Sequence, residues 1–143
     1  MKKIILVIML MVSLSQATQA TEVKSLYSRL GGYDIITFIA KDFHSRLRSD
    51  SQLGRFWAYR GTDGLERELK LLVDFICEKA GGSIFYTGRD MPTTHIGMKI
   101  NESDWVIFME HLKDTLNKFK VHKKEKVETI QFVESLKSSM VEG

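Results

Sequence analysis

The chain has 143 residues, 43% of them hydrophobic and 27% charged, which suits one domain with a real core and excludes a disordered tail or a coiled-coil rod. One proline and ten glycines argue against a turn-rich all-β protein, and a net charge of +3 gives no electrostatic footprint for nucleic acid. The lone cysteine, Cys77, excludes a disulfide framework, a Cys-x-x-Cys-His attachment and a cysteine-based zinc site.

Residues 1–20 read as a cleavable secretory signal. Lys2 and Lys3 open it, Ile4 to Leu14 form an apolar run, and Ser15-Gln16-Ala17 and Thr18-Gln19-Ala20 each offer a small-x-Ala cleavage site. The run falls well short of the roughly 20 residues a spanning helix needs. Only an uncleaved leader would hold the protein at a membrane. The expected organisation is thus a signal at 1–20 and a single domain at 21–143, periplasmic or secreted. Cleavage removes two lysines and no acids, so the mature charge is nearly balanced.

Apolar spacing predicts helices almost throughout. A short one over 24–30 stops at Gly31-Gly32, and a second over 33–48 carries Ile35, Ile36, Ile39, Phe43 and Leu47 on one face. Leu53, Phe56, Trp57 and Tyr59 crowd an irregular stretch before Gly61 and Gly64. A helix over 65–79 repeats Leu65, Leu69, Leu72, Val73 and Ile76, with Cys77 beside this stripe as a small core residue. After an irregular 83–90, Pro92 suits the first turn of a short helix. Asn101 caps the next helix, with Asp104 three residues on and Trp105, Phe108, Met109, Leu112, Leu116 and Phe119 buried. A last helix holds Val127, Ile130, Val133, Leu136 and Met140; its lysine-rich start, interrupted by Glu125 and Glu128, reads as solvated.

The segment 83–99 is too short and irregular to close a bundle alone. Something must fill the space beneath it, and an apolar group does so better than water. The sequence has no H-E-x-x-H, nucleophile elbow, G-x-G-x-x-G or P-loop, which removes hydrolase and nucleotide readings. Of four histidines, His122 sits among lysines and His111 on the helix after the short one. His95, on the short helix beside Gly97, offers an imidazole to a metal or serves as a helix-end histidine; spacing leaves both open.

Leu26-Tyr27-x-Arg29-Leu30-Gly31-Gly32 and, downstream, Gly81-Gly82 with Tyr86-Thr87-Gly88-Arg89-x-Met91-x-x-x-His95-x-Gly97 resemble the truncated haemoglobins, group I in particular, over residues 24–140. The resemblance implies an all-α, two-over-two helical sandwich around haem b, with His95 as the proximal iron ligand. Phe43 and His44 match the aromatic pair beside the bound gas; the family usually has tyrosine where His44 stands. That exchange replaces a hydroxyl donor by a group that donates, accepts or coordinates iron, so His44 is also a candidate distal ligand. Trp57, or Phe56 beside it, matches an aromatic packed on the haem, and Glu68, Leu71 and Leu72 fall on the distal helix. Tyr86 and Met91 shape the proximal wall, and Arg89 either pairs with a propionate or stays at the surface.

The function implied is reversible binding of oxygen, with nitric oxide or carbon monoxide as further ligands. The runner-up is an enzyme, a nitric oxide dioxygenase or a peroxidase-like protein supplied by an unidentified reductase. A haem-free helical interaction module is the third reading, and it makes His95 dispensable.

Overall fold

The computed structural model describes residues 23–142; the expected leader lies outside them. Six α-helices follow in order: α1 Leu26–Leu30, α2 Gly32–Ser49, α3 Thr62–Lys79, α4 Met91–His95, α5 Glu102–Lys118 and α6 Lys123–Glu134. Two 3-10 turns, Leu53–Trp57 and Lys137–Ser139, complete the described residues, among which no strand occurs and no helix is long and apolar enough to cross a membrane. The expected all-α class is correct.

Helix α2 organises the fold because it is apolar over two adjoining stripes. Ile39, Phe43 and Leu47 pack with Leu53, Trp105, Met109, Leu112 and Leu116, joining α2 to α5. Ile36 and Ala40 pack with Val73 and Cys77, joining α2 to α3. Each large side chain so buried contributes roughly 1.5–3 kcal/mol. With α6 against α5, the long helices form two pairs in a two-over-two sandwich.

Local signals set the boundaries. Gly31, at φ 103°, ends α1 in a left-handed conformation that an L side chain resists, and the chain turns into α2. Ser25 caps α1, so the helix begins at Leu26, two residues inside the expected start. Asn101 and Asp104 form a reciprocal capping box on α5, as expected. Helix α3 begins at Thr62, not Leu65: Gly61 is extended at its N-cap, and Thr62 and Asp63 give a polar first turn that apolar periodicity does not register.

Three expectations about faces need correction. Ile35 is 42% exposed, because it lies at the edge of the α2 stripe and its side chain covers the bare Cα of Gly31. Val127 is 46% exposed, and the buried residue of α6 is instead Glu125. The lysine-rich start is therefore not wholly solvated. Arg29 of α1 donates to Glu125 at 2.6 Å and also pairs with Glu128, so the interrupting acids tie the first helix to the last.

Candidate functional site

Between α2, α3, the 83–90 segment, α4, α5 and α6 lies a cavity of about 1180 Å³. It occupies the space that the short 83–99 segment leaves beneath it. Every residue that the resemblance assigns to the haem site borders it: Phe43, His44, Trp57, Glu68, Leu72, Tyr86, Arg89, Met91 and His95, together with Leu71.

The wall beyond Ser83 is fixed by backbone-directed hydrogen bonds. Tyr86 folds back over Gly88, and its hydroxyl donates to the Arg89 carbonyl at 2.8 Å. A Cβ on Gly88 would stand 2.1 Å from the Tyr86 hydroxyl oxygen, so any larger residue there would displace the Tyr86 ring. The Tyr86 N–H donates to Glu78 Oε1 at 3.1 Å, which holds that carboxyl below its usual range, and the Tyr86 ring meets Phe75 edge-on. The close approach of the Tyr86 ring to Gly88 couples those two residues at that spacing.

Asp90 then caps α4 by accepting from the Thr93 N–H at 2.8 Å, and Pro92 sits in the first turn. One turn on, His95 Nδ1 lies 2.9 Å from the Met91 carbonyl oxygen. A carbonyl only accepts, so Nδ1 carries the hydrogen and Nε2 of the neutral ring keeps its lone pair. That is the state of an imidazole ready to ligate a metal through Nε2. His95 also stands at the end of α4, so the helix-end placement and a ring with Nε2 free coexist here.

Across the cavity, His44 is only 4% exposed, which removes the half-exposed placement that the helical wheel allows. Its ring meets the Trp57 indole edge-on at 5.8 Å. Trp57 Nε1 donates to Glu68 Oε1 at 2.6 Å, and the same oxygen lies 3.4 Å from His44 Nε2. That approach is poorly aligned: Nε2 is buried without a hydrogen-bond partner, and so is Glu68 Oε2, 3.7 Å from Arg60. Burial opposes ionisation of Glu68, but His44, Trp57 and Arg60 outweigh it and hold the carboxyl below its usual range.

Sequence reasoning missed several cavity residues. Phe75 and Phe132, 6.0 Å apart, and Met98 all border the space, as does Arg60. Phe75 falls outside the α3 stripe read from the sequence, although its spacing of three and four residues from Leu72 and Leu71 puts it on their face. His111 takes no part; its Nε2 pairs with Asp50 Oδ2 at 2.9 Å, tying α5 to the end of α2. His122 is exposed and Cys77 fully buried, both as expected.

The sequence model of the family described as Bacterial-like globin matches residues 25–142. The group 1 truncated hemoglobin GlbN of Mycolicibacterium paratuberculosis is 32% identical over 95 residues, covering 66% of this chain and 68% of that one. The chain belongs to the group I truncated haemoglobins. The globin is also similar to GlbN of Nostoc commune, 29% identical over 92 residues with 64% and 75% of the two chains covered. The crystal structure of the truncated hemoglobin from Tetrahymena pyriformis in the Fe(III) form superposes with a TM-score of 0.76 at 22% identity, over 84% of this chain and all of that one, which shows the shared fold.

A globin of this family uses haem and binds diatomic gases such as oxygen. The cavity fits that group. Its wall is built largely from apolar side chains, while Arg60, Arg67, Lys70, Lys79 and Arg89 stand exposed around it, suited to acidic substituents reaching solvent. Lys70 and Lys79 are engaged by Asp74 and Glu78, whereas Arg89 makes no ion pair among the described residues.

Proposed function

We propose that the globin holds haem b through His95 Nε2 and binds oxygen reversibly on the face opposite, with nitric oxide and carbon monoxide as further ligands. The observation that carries this reading is the 2.9 Å contact between His95 Nδ1 and the Met91 carbonyl, at the wall of an apolar cavity of about 1180 Å³. Haem bound there would supply an iron able to take a protein nitrogen and a diatomic gas as ligands.

The chain's own residues do the rest. Asp90 and Pro92 set α4, and Met91 fixes the His95 ring. Tyr86 and Met91 shape the wall beside it, and Arg89 neutralises a propionate at the rim. Phe43 and Leu72 exclude water opposite, and His44 offers a hydrogen bond there. The experiment is an absorption spectrum of ferric, ferrous and carbon monoxide forms. A Soret band is expected, lost or changed in coordination in His95→Ala and restored by added imidazole. An unchanged spectrum in that variant removes His95 from this role.

A second reading is favoured by one observation, the approach of buried His44 to half-buried Glu68, which places an acid–base couple at the cavity. It is a nitric oxide dioxygenase or peroxidase-like activity drawing electrons from an external reductase. Sustained turnover with a supplied reductant supports it, and its absence leaves gas binding alone. The leader read over residues 1–20 supports export to the periplasm or beyond. Fractionation with N-terminal sequencing tests this: absence from the cell envelope and medium would overturn export, and a start at Met1 would overturn cleavage.

A further inference from the structure

The buried His44 Nε2 faces a choice that its neighbours decide. An imidazole nitrogen carries either a hydrogen or a lone pair, and only the lone pair ligates iron. His44 Nε2 lies 3.4 Å from Glu68 Oε1, and that oxygen is held in place by the Trp57 indole at 2.6 Å. A lone pair set against a carboxylate is repelled, and an N–H in the same position is attracted. His44 Nε2 is shut off from solvent, so little water screens the difference at that atom.

We infer that Glu68 is a positioning residue for His44: it keeps the hydrogen on Nε2, making His44 a hydrogen-bond donor toward the gas and keeping it off the iron. The poor alignment of the two groups is part of the device. Glu68 selects the tautomer by charge without capturing the N–H in a good hydrogen bond, so the hydrogen stays available to a guest. Trp57 prevents Glu68 Oε1 from swinging away, and Arg60, at 3.7 Å from Oε2, sits on the outer side of the carboxylate. The inference rests on the haem reading above, and it decides between two roles that the sequence leaves open for His44.

The test is nitrogen-15 NMR of histidine-labelled protein in the diamagnetic ferrous–carbon monoxide form, where the two ring-nitrogen shifts report the tautomer of each neutral histidine. His44 is expected with its hydrogen on Nε2 in the wild type. In Glu68→Leu the Nδ1–H form should rise severalfold, and in the isosteric Glu68→Gln by a smaller factor, which covers the case that the leucine variant folds poorly. A wild-type His44 with its hydrogen on Nδ1 overturns the inference. So does a tautomer ratio unmoved in both variants, or ferric wild-type protein in which His44→Leu abolishes a bis-histidine spectrum. Failure of the haem reading looks different: no Soret band forms, while the tautomer remains measurable in the haem-free protein.

Discussion

The Arg55 guanidinium donates to Asp104 Oδ2 at 2.6 Å, clamping the turn that carries Phe56 and Trp57 onto the start of α5. Asp104 is 1% exposed, accepts from Gln52 through its other oxygen and also receives the Asn101 N–H. The hydrogen bond from Arg55 leads these effects and lowers its carboxyl to about 2.

Stability of the globin should therefore depend on Asp104 in acid. A carboxyl whose folded pKa lies below its unfolded value stabilises fully above about pH 4, and the contribution is lost as pH falls through about 2. The contribution is on the order of 2 kcal/mol. Asp104→Asn should lose about this much at neutral pH and flatten the acid limb between pH 4 and 2, read by urea melts at several pH values. Parallel pH curves for the two proteins would refute the assignment.

Gly88→Ala should disrupt the wall beside His95. The new methyl would collide with the Tyr86 ring and expel its hydroxyl from the Arg89 carbonyl. Tyr86→Phe removes only that hydrogen bond, worth about 1 kcal/mol. The alanine variant is expected to be the more damaging of the two to haem retention, measured by transfer to excess apomyoglobin. Equal loss rates would contradict the role given to Gly88.

His44→Leu should accelerate oxygen release. Losing one hydrogen bond of about 1 kcal/mol corresponds to about fivefold in rate. Stopped-flow oxygen displacement reads this directly, and an unchanged rate would mean that His44 makes no contact with the gas.

Haem should stabilise the segment from Ser83 to Lys99 more than the rest of the chain. Few of its side chains pack into either apolar cluster, and only Ile100 just beyond it is buried. A ligand that binds the native state alone raises the melting temperature with its concentration. Hydrogen exchange across 83–99 should slow on haem addition, while α2 and α5 change little. Uniform protection would show that binding is not coupled to this segment.

Much of this architecture was legible in the residues. The stripes of α2 and α5 follow helical period because each faces a continuous apolar core, and the Asn101–Asp104 box is a local interaction that spacing alone discloses. The shortness of 83–99 announced a space to be filled. Ile35 and Val127 were misplaced because period assigns a face, whereas burial depends on the neighbouring helix.

Sequence by itself determined the helix count and the breaks at glycine, since these depend on interactions spanning a few residues, whereas His95 became a candidate ligand only through the resemblance of its motif to the family. The tertiary structure decided which atoms of distant segments meet. The Glu68 carboxylate beside His44, the indole of Trp57 that holds it, and the Arg29 tie to α6 all join residues separated along the chain. Their chemistry follows from distance and exclusion of water, and neither is set until the helices pack.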